Sequence, residues 1–400
     1  MYQAGSADLP LHNGRVPKWL AERMTKLGGA IAEAIIIEYG RATFIQRMSD
    51  PAWFQSLGCV LGMDWHSSGI TTSVLGALKS AINPRAKELG IFICGGRGKY
   101  SRQTPNELLR VADQTGLDGE SLVKSSRLVA KVDNTALQDG YQIYLHSFII
   151  SKEGDWSVVQ QGMNGVLGYA RRYHWSSRDL SSYINEPHDY VLGKNHGNIL
   201  NLTHANAASS RDAILDMTEQ NPDRLMDEIR KIRLPVHHDV RQSDVDLKRL
   251  GSILAVANDL PISEFEDLLL IQGLGPRTLQ SLALVSEVIY GTQSRFADPA
   301  RFSFAHGGKD GHPFPVPTSV YDESISILKN CVERARIGHS DKLQALRSLT
   351  NAAQKMEDGF IPNGNLDDQI KKERRDSWKY GGRTVNGWAK KPRVIQGTLF

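Results

Sequence analysis

Asp133, Asp139, His146 and Gln160 fall in one stretch of the chain, and side chains of these types can hold a hard divalent cation. Residues 142–150 and 156–161 alternate like strands around a short Ser151-Lys152-Glu153-Gly154-Asp155 turn, which makes a β-hairpin. A loop of four or five residues sets His146 opposite Gln160 or Gln161, so a histidine and a glutamine share one face. Asp133 and Asp139 stand just upstream, in Val132-Asp133-Asn134 and Gln138-Asp139-Gly140. Two carboxylates near a histidine and an amide oxygen suit Mg²⁺ or Mn²⁺, and such an ion activates water for attack on phosphorus. Asp64, in Leu61-Gly62-Met63-Asp64-Trp65-His66, is another candidate: an acid that ends an apolar strand and precedes a polar turn. The expected metal ligands are therefore Asp64, Asp133 and Asp139, with His146 as ligand or base and Gln160 beside it. Arg171 or Lys309 would stabilise the developing charge. The competing explanation for each acid is that an Asp at a turn more often caps backbone N–H groups.

Other segments carry anion chemistry. Ala170-Arg171-Arg172-Tyr173-His174-Trp175 mixes phosphate-binding and base-stacking side chains, although a buried aromatic strand with exposed arginines gives the same pattern. Gly95-Gly96-Arg97-Gly98-Lys99-Tyr100-Ser101-Arg102 is a candidate anion-binding nest using Lys99 and Arg102, followed by a helix capped at Thr104-Pro105-Asn106-Glu107. It is not a P-loop, because Tyr100 follows Gly98-Lys99 and Ile93 stands where the first glycine belongs, so ATP hydrolysis has no support. Ala305-His306-Gly307-Gly308-Lys309-Asp310-Gly311-His312-Pro313 concentrates polar groups in a loop, with Lys309 for phosphate and Asp310 or His306 for metal; an ordered surface loop explains it equally well. His237-His238-Asp239 lacks a second ligand cluster and reads as surface.

Two attachment devices lie further along. Residues 268–283 read as a helix-hairpin-helix: Ser263 and Glu266 form a capping box, Gly273-Leu274-Gly275 makes the turn, and Pro276 opens the second helix. Its turn amides face outward at a helix N-terminus and suit a phosphate oxygen, so Gly273, Gly275, Arg277 and Thr278 are expected to bind DNA backbone without reading sequence. An ordinary helical hairpin is the alternative. The chain closes with Gln396-Gly397-Thr398-Leu399-Phe400, a Q-x-x-L-F pattern that looks like the peptide docking into bacterial sliding clamps. Leu399 and Phe400 would fill an apolar cleft and Gln396 would hydrogen-bond at its rim. Lys390, Lys391 and Arg393 just before it would touch DNA threaded through such a ring.

Composition bounds what must position these groups. Four hundred residues with 40% hydrophobic content form one large or two smaller units, and a net charge of +4 is compatible with a polyanion without requiring one. Cys59, Cys94 and Cys331 are too dispersed for a metal clamp or a disulfide framework, which fits a reducing cytoplasm. The most apolar run, residues 30–39, contains Glu33 and Glu38 and is too short to span a bilayer, so no membrane partner is expected. The expected fold class is a mixed α/β core over residues 1–205, helical from Trp19 to about Gln55 with Ser49 and Pro51 opening a further helix. A mostly helical region over 206–300 holds the hairpin at 263–291. Gly/Pro-rich loop and helices follow over 301–358, and a flexible basic tail over 359–400.

Taken together, several motifs resemble the family catalogued as domain of unknown function 763. They are Ala7-Asp8-Leu9-Pro10-Leu11-His12, Gly62 to Gly69, Val132-Asp133-Asn134 with Gln138-Asp139-Gly140, Val158 to Met163, Ala170 to Trp175, and Phe304 to Gly311. The resemblance spans roughly residues 1–335 and implies no activity. The residues themselves point to a DNA-binding protein of repair or replication, first read as a metal-dependent DNA nuclease delivered by the clamp. The alternatives are a non-catalytic DNA-structure-binding adaptor and an RNA-processing factor.

Overall fold

The computed structural model describes residues 9–11, 16–64, 67–178, 180–231, 247–301, 318–335 and 337–357, with two short paired strands at 383–384 and 387–388. Helix α1 (Lys18–Tyr39) buries Met24, Leu27, Ile31 and Ile35, which recur at helical spacing, and Gly40 at φ +86° ends it. After α2 (Arg41–Ser49), Asp50 rather than Ser49 caps α3 (Pro51–Val60): its carboxylate accepts from the Ala52 and Trp53 amides, and Pro51 takes the first helical position. The apolar run before Asp64 is the end of this helix, not a strand, and Asp64 sits exposed in the loop beyond it. Helices α4 (Gly69–Ile82) and α5 (Ala86–Leu89) complete the first helical layer.

Strand β1 (Ile91–Arg97) is followed by α6 (Thr104–Thr115), α7 (Gly119–Lys131) and the short β2 (Leu137–Gln138). The capping box expected at Thr104 does not form. Thr104 donates to the Ser101 carbonyl instead, and Glu107 takes the Lys79 ammonium and the Gly95 amide. Next come β3 (Gln142–Ser151), β4 (Trp156–Asn164), β5 (Tyr169–Ser176) and β6 (Tyr190–Leu192). With β1 they form one antiparallel sheet in the order β1-β3-β4-β5-β6.

Both faces of this sheet are covered, so its strands are apolar on alternate positions toward two different cores. Ile91, Ile93, Leu145, Ile149 and Val159 pack against α1–α4. The same core takes in α13 (Thr318–Arg334) and α14 (His339–Glu357). Phe92, Cys94, Phe148, Ile150, Val158, Tyr173 and Trp175 face the other way. They pack with α6 and α7, and with a set of helices later in the chain: α8 (Ala208–Glu219), α9 (Pro222–Lys231), α10 (Leu247–Asn258), α11 (Phe265–Leu270) and α12 (Pro276–Tyr290). Each buried Leu, Ile or Phe contributes about 1.5–3 kcal/mol, so both layers matter to stability. β7 (Asn198–Asn201) and β8 (Arg295–Ala297) join β2 in a second antiparallel sheet in the order β2-β7-β8.

Helices α11 and α12 are separated by residues 271–275. Glu264, not Ser263, is the residue before α11, and no side chain caps it, so the Ser263–Glu266 box is not made. Gly275 precedes Pro276 in extended backbone. Among the described residues no helix is long and apolar enough to cross a membrane.

Candidate functional site

The β3–β4 register sets His146 opposite Gln160, one of the two partners that the hairpin length allows. His146 Nδ1 donates to Gln160 Oε1 at 2.7 Å, and Ser126 Oγ on α7 donates to His146 Nε2 at 2.9 Å. The tautomer follows from Gln160, whose amide nitrogen donates to the Val129 carbonyl and to Asp133 Oδ2, leaving its oxygen as acceptor. Asp133 also accepts from Trp175 Nε1 at 3.0 Å and is paired with His188 Nε2 at 2.5 Å. The chain Ser126–His146–Gln160–Asp133 has the order of a nucleophile, a base and its orienting groups. Ser126 and His146 are only 3% and 4% exposed, however, so no substrate reaches them. Burial holds the His146 imidazole below its ordinary range, against the opposing pull of Gln160 and Asp133.

A second cluster shares this face one row further along the strands. Asp139 accepts from Arg171 Nη1 at 2.7 Å, Tyr173 OH at 2.6 Å and the Tyr141 amide at 3.0 Å. Arg171 also forms a two-pronged pair with Asp298, at 3.0 and 2.8 Å, and its guanidinium lies 4.6 Å from the Tyr141 ring centroid. Burial pushes the Asp139 carboxyl upward, and Arg171, Tyr173 and the Tyr141 amide pull against it. Arg171 is fully buried and committed to two carboxylates, so its sequence-derived role at a developing charge is not available in this arrangement.

Arg172 and His174 point to the opposite face. Arg172 donates to His174 Nε2 at 2.9 Å, Thr71 Oγ1 at 3.3 Å and Gln55 Oε1 at 2.9 Å, and it stacks 4.7 Å from the Phe54 centroid. It pairs with no carboxylate among the described residues, and burial pulls its guanidinium down to about 9, which still leaves it charged at neutral pH. Burial, followed by the Arg172 charge, holds His174 well below its ordinary range. The expected contact of Arg172 with DNA is corrected: it is 0% exposed, and the arginines of this strand are interior, because helices cover both sides of the sheet.

The three candidate metal acids are thus not gathered. Asp133 and Asp139 serve separate buried networks, while Asp64 is exposed in the loop after α3. Among the described residues no three His, Cys, Asp or Glu side chains stand close enough to share a metal ion. Lys309, His306, Asp310, residues 237–239 and the terminal Gln396, Leu399 and Phe400 lie outside the described residues. A groove of about 580 Å³ between α1, α4 and α14 is lined by Arg23, Lys26, Glu33, Arg85 and Gln344 among others, and by none of these candidates.

Besides Asp64, the sequence candidates that are exposed among the described residues lie in two loops. Gly273, Arg277 and the half-buried Gly275 form the surface of the α11–α12 turn, whereas Thr278 is buried. The carbonyls of this turn are occupied: Lys131 Nζ donates to Leu274 O at 2.5 Å, Arg249 to Gly273 O at 3.1 Å, and Gln138 to Pro276 O at 2.7 Å. Lys99 and Arg102 are exposed beyond β1.

Sequence reasoning did not find Ser126, His188 or Asp298. Strand alternation was the available signal, since it separates Arg171, Tyr173 and Trp175 from Arg172 and His174, but nothing local marks the partners that reach them from α7 and from residues 188 and 298. The sequence model of a family described as a protein of unknown function, DUF763, matches residues 5–316. The chain belongs to that family. The matched range contains both buried networks and the α11–α12 turn, so these are features of the DUF763 portion of the chain. No curated protein and no solved structure matches.

Proposed function

We propose that this DUF763 protein grips the sugar-phosphate backbone of DNA with the α11–α12 turn, working as a helix-hairpin-helix, and that it serves DNA repair or replication as a structure-binding adaptor. One observation carries the reading. The carbonyls of Gly273, Leu274 and Pro276 are held by Arg249, Lys131 and Gln138, while the amides of Gly273, Gly275 and Arg277 have no acceptor among the described residues. A turn fixed through its carbonyls offers its amides to an anion, and the 15-residue α12 adds its positive dipole end. Arg277 supplies a charge at the rim.

The adaptor reading takes precedence over metal-dependent hydrolysis because Asp64, Asp133 and Asp139 have separate surroundings. Recruitment by a bacterial-type sliding clamp through Gln396, Leu399 and Phe400 is the corresponding proposal for the tail.

The deciding measurement is fluorescence anisotropy with labelled duplex DNA and duplex RNA across a salt series. Wild type should bind duplex DNA, and Arg277→Ala should weaken it and reduce the salt slope by about one unit. Equal binding by Arg277→Glu and wild type overturns the reading. The same samples incubated with Mg²⁺ or Mn²⁺ test hydrolysis: cleavage by wild type that is lost in a folded Asp64→Ala variant would restore the nuclease.

A further inference from the structure

At one end of the central sheet β1 finishes, β3 begins and β4 turns into β5: Arg97 lies opposite Leu145, Gln142 opposite Met163, and Asn164 opposite Tyr169. This end is cationic and apolar at once. Residues 96–103 contain Arg97, Lys99 and Arg102 with no acid, and residues 162–170 contain no charge. None of these three cations has a carboxylate partner among the described residues. The Arg97 guanidinium lies over the Tyr144 ring, 5.7 Å from its centroid, and Lys99 Nζ lies 5.5 Å from that of Tyr100. Tyr100 is 56% exposed, and at the β4–β5 tip Met163, Leu167 and Val166 are 42%, 46% and 96% exposed.

The loop after β1 is anchored at its base. Lys79 donates to the Gly95 carbonyl at 2.7 Å, and the Gly95 amide donates to Glu107 at 2.8 Å. Gly95, Gly96 and Gly98 take positive φ values, which bends the backbone sharply and leaves the side chains of Arg97, Lys99 and Tyr100 outside.

We propose that this sheet end is a second nucleic-acid site, built for a single strand. Arg97, Lys99 and Arg102 follow the phosphates, and unpaired bases stack on the Tyr100 ring and on the Arg97 guanidinium backed by Tyr144. The apolar β4–β5 tip forms a wall for the bases. Stacking on a ring or guanidinium plane tolerates any base but requires it to be unpaired, so a duplex gains little here. The inference rests on the DNA-binding reading for the class of its occupant and not on the α11–α12 turn.

The test titrates the full chain against a fluorescein-labelled oligothymidine strand of about 20 nucleotides, a matching duplex, and phosphatidylserine vesicles. Tyr100→Ala should weaken single-strand binding about tenfold and leave duplex binding and the melting temperature unchanged. Arg97→Gln with Lys99→Gln should flatten the salt dependence for the single strand, while Arg277→Ala should affect the duplex. Single-strand affinity that survives both surface variants overturns the inference, as does its loss in Arg277→Ala alone. Vesicle binding without oligothymidine binding assigns the Val166–Leu167 tip to a lipid surface and also overturns it. Duplex binding without oligothymidine binding refutes this site and leaves the turn standing; the reverse result refutes the turn, and binding of neither refutes both.

Discussion

Asp133 accepts from Gln160, Trp175 and His188 in a site closed to solvent, and its replacement by alanine strands three buried donors. Breaking such a network costs on the order of 3–5 kcal/mol. Urea denaturation of Asp133→Ala should show that loss, and a loss below about 1 kcal/mol would disprove the network's structural role. The neutral histidines give a pH signature. His146 and His174 are both held below their ordinary values, so the unfolded chain binds protons that the folded chain refuses. Their contribution is complete above about pH 6.5 and is lost as pH falls toward the depressed folded values, at up to about 1.4 kcal/mol per pH unit for each histidine. Denaturation followed from about pH 7.5 down to 5 should show this slope, and a folded His174→Asn variant should reduce it. The types of these residues were legible in the sequence, and so was the pairing of His146 with Gln160 or Gln161, because a loop of four or five residues leaves only those two registers; the β3–β4 register selects Gln160. The sharing of Asp133 with His188 was not, since position 188 follows β5 through an irregular segment whose path no periodicity marks.

β1 passes close to both β3 and the start of α6 at Gly95. A Cβ on Gly95 would stand 2.3 Å from the His146 carbonyl oxygen and 2.4 Å from Thr104 Oγ1, at φ +83°. Gly95→Ala therefore combines backbone strain with a clash against β3 and should cost about 3–4 kcal/mol. Gly98, at φ +60° with open space around it, carries the strain alone, so Gly98→Ala should cost about 1 kcal/mol. Thermal melts of the two variants check the contrast, and equal shifts would mean that the close approach does not constrain the fold. The glycines announced a bend in the sequence; which of them lies against another strand is a property of the β1–β3 pairing. Helix termini behaved similarly: Asp50 displaced Ser49 as a cap because it sits one residue closer to Pro51, and Glu107 was drawn from capping to Lys79 across 28 positions.

For the whole molecule, the apolar core on the second sheet face joins Val129, Phe148 and Trp175 to Leu268, Leu279 and Leu282, so packing crosses residue 205, where the composition of the chain changes. A fragment ending at 205 exposes that face, losing about 1.5–3 kcal/mol for each large apolar side chain uncovered. It should lack near-ultraviolet circular dichroism from Trp175 and be cut rapidly by protease, whereas a sharp cooperative melt of the fragment would show that the first half is self-sufficient. Lys131 and Gln138 also hold the α11–α12 turn from the core side, so a fragment containing residues 206–301 alone should bind duplex DNA more weakly than the full chain. Anisotropy against the same duplex checks this.

The sequence by itself determined strands β1, β3 and β4 with their β3–β4 hairpin, most of the helices and the mixed α/β class, because local periodicity and turn chemistry set those features over a few residues; the short β2, β6, β7 and β8 carried too little periodicity to be read, and the apolar run before Asp64 is helical. Tertiary structure decided that both faces of the sheet are covered. That coverage turned Arg171, Arg172, Asp133 and Asp139 from plausible surface chemistry into interior ion pairs and hydrogen bonds, since a charge taken out of water must find partners wherever the fold brings them. It also left Arg97, Lys99, Tyr100 and the α11–α12 turn at the surface, where an ionic ligand can still reach them.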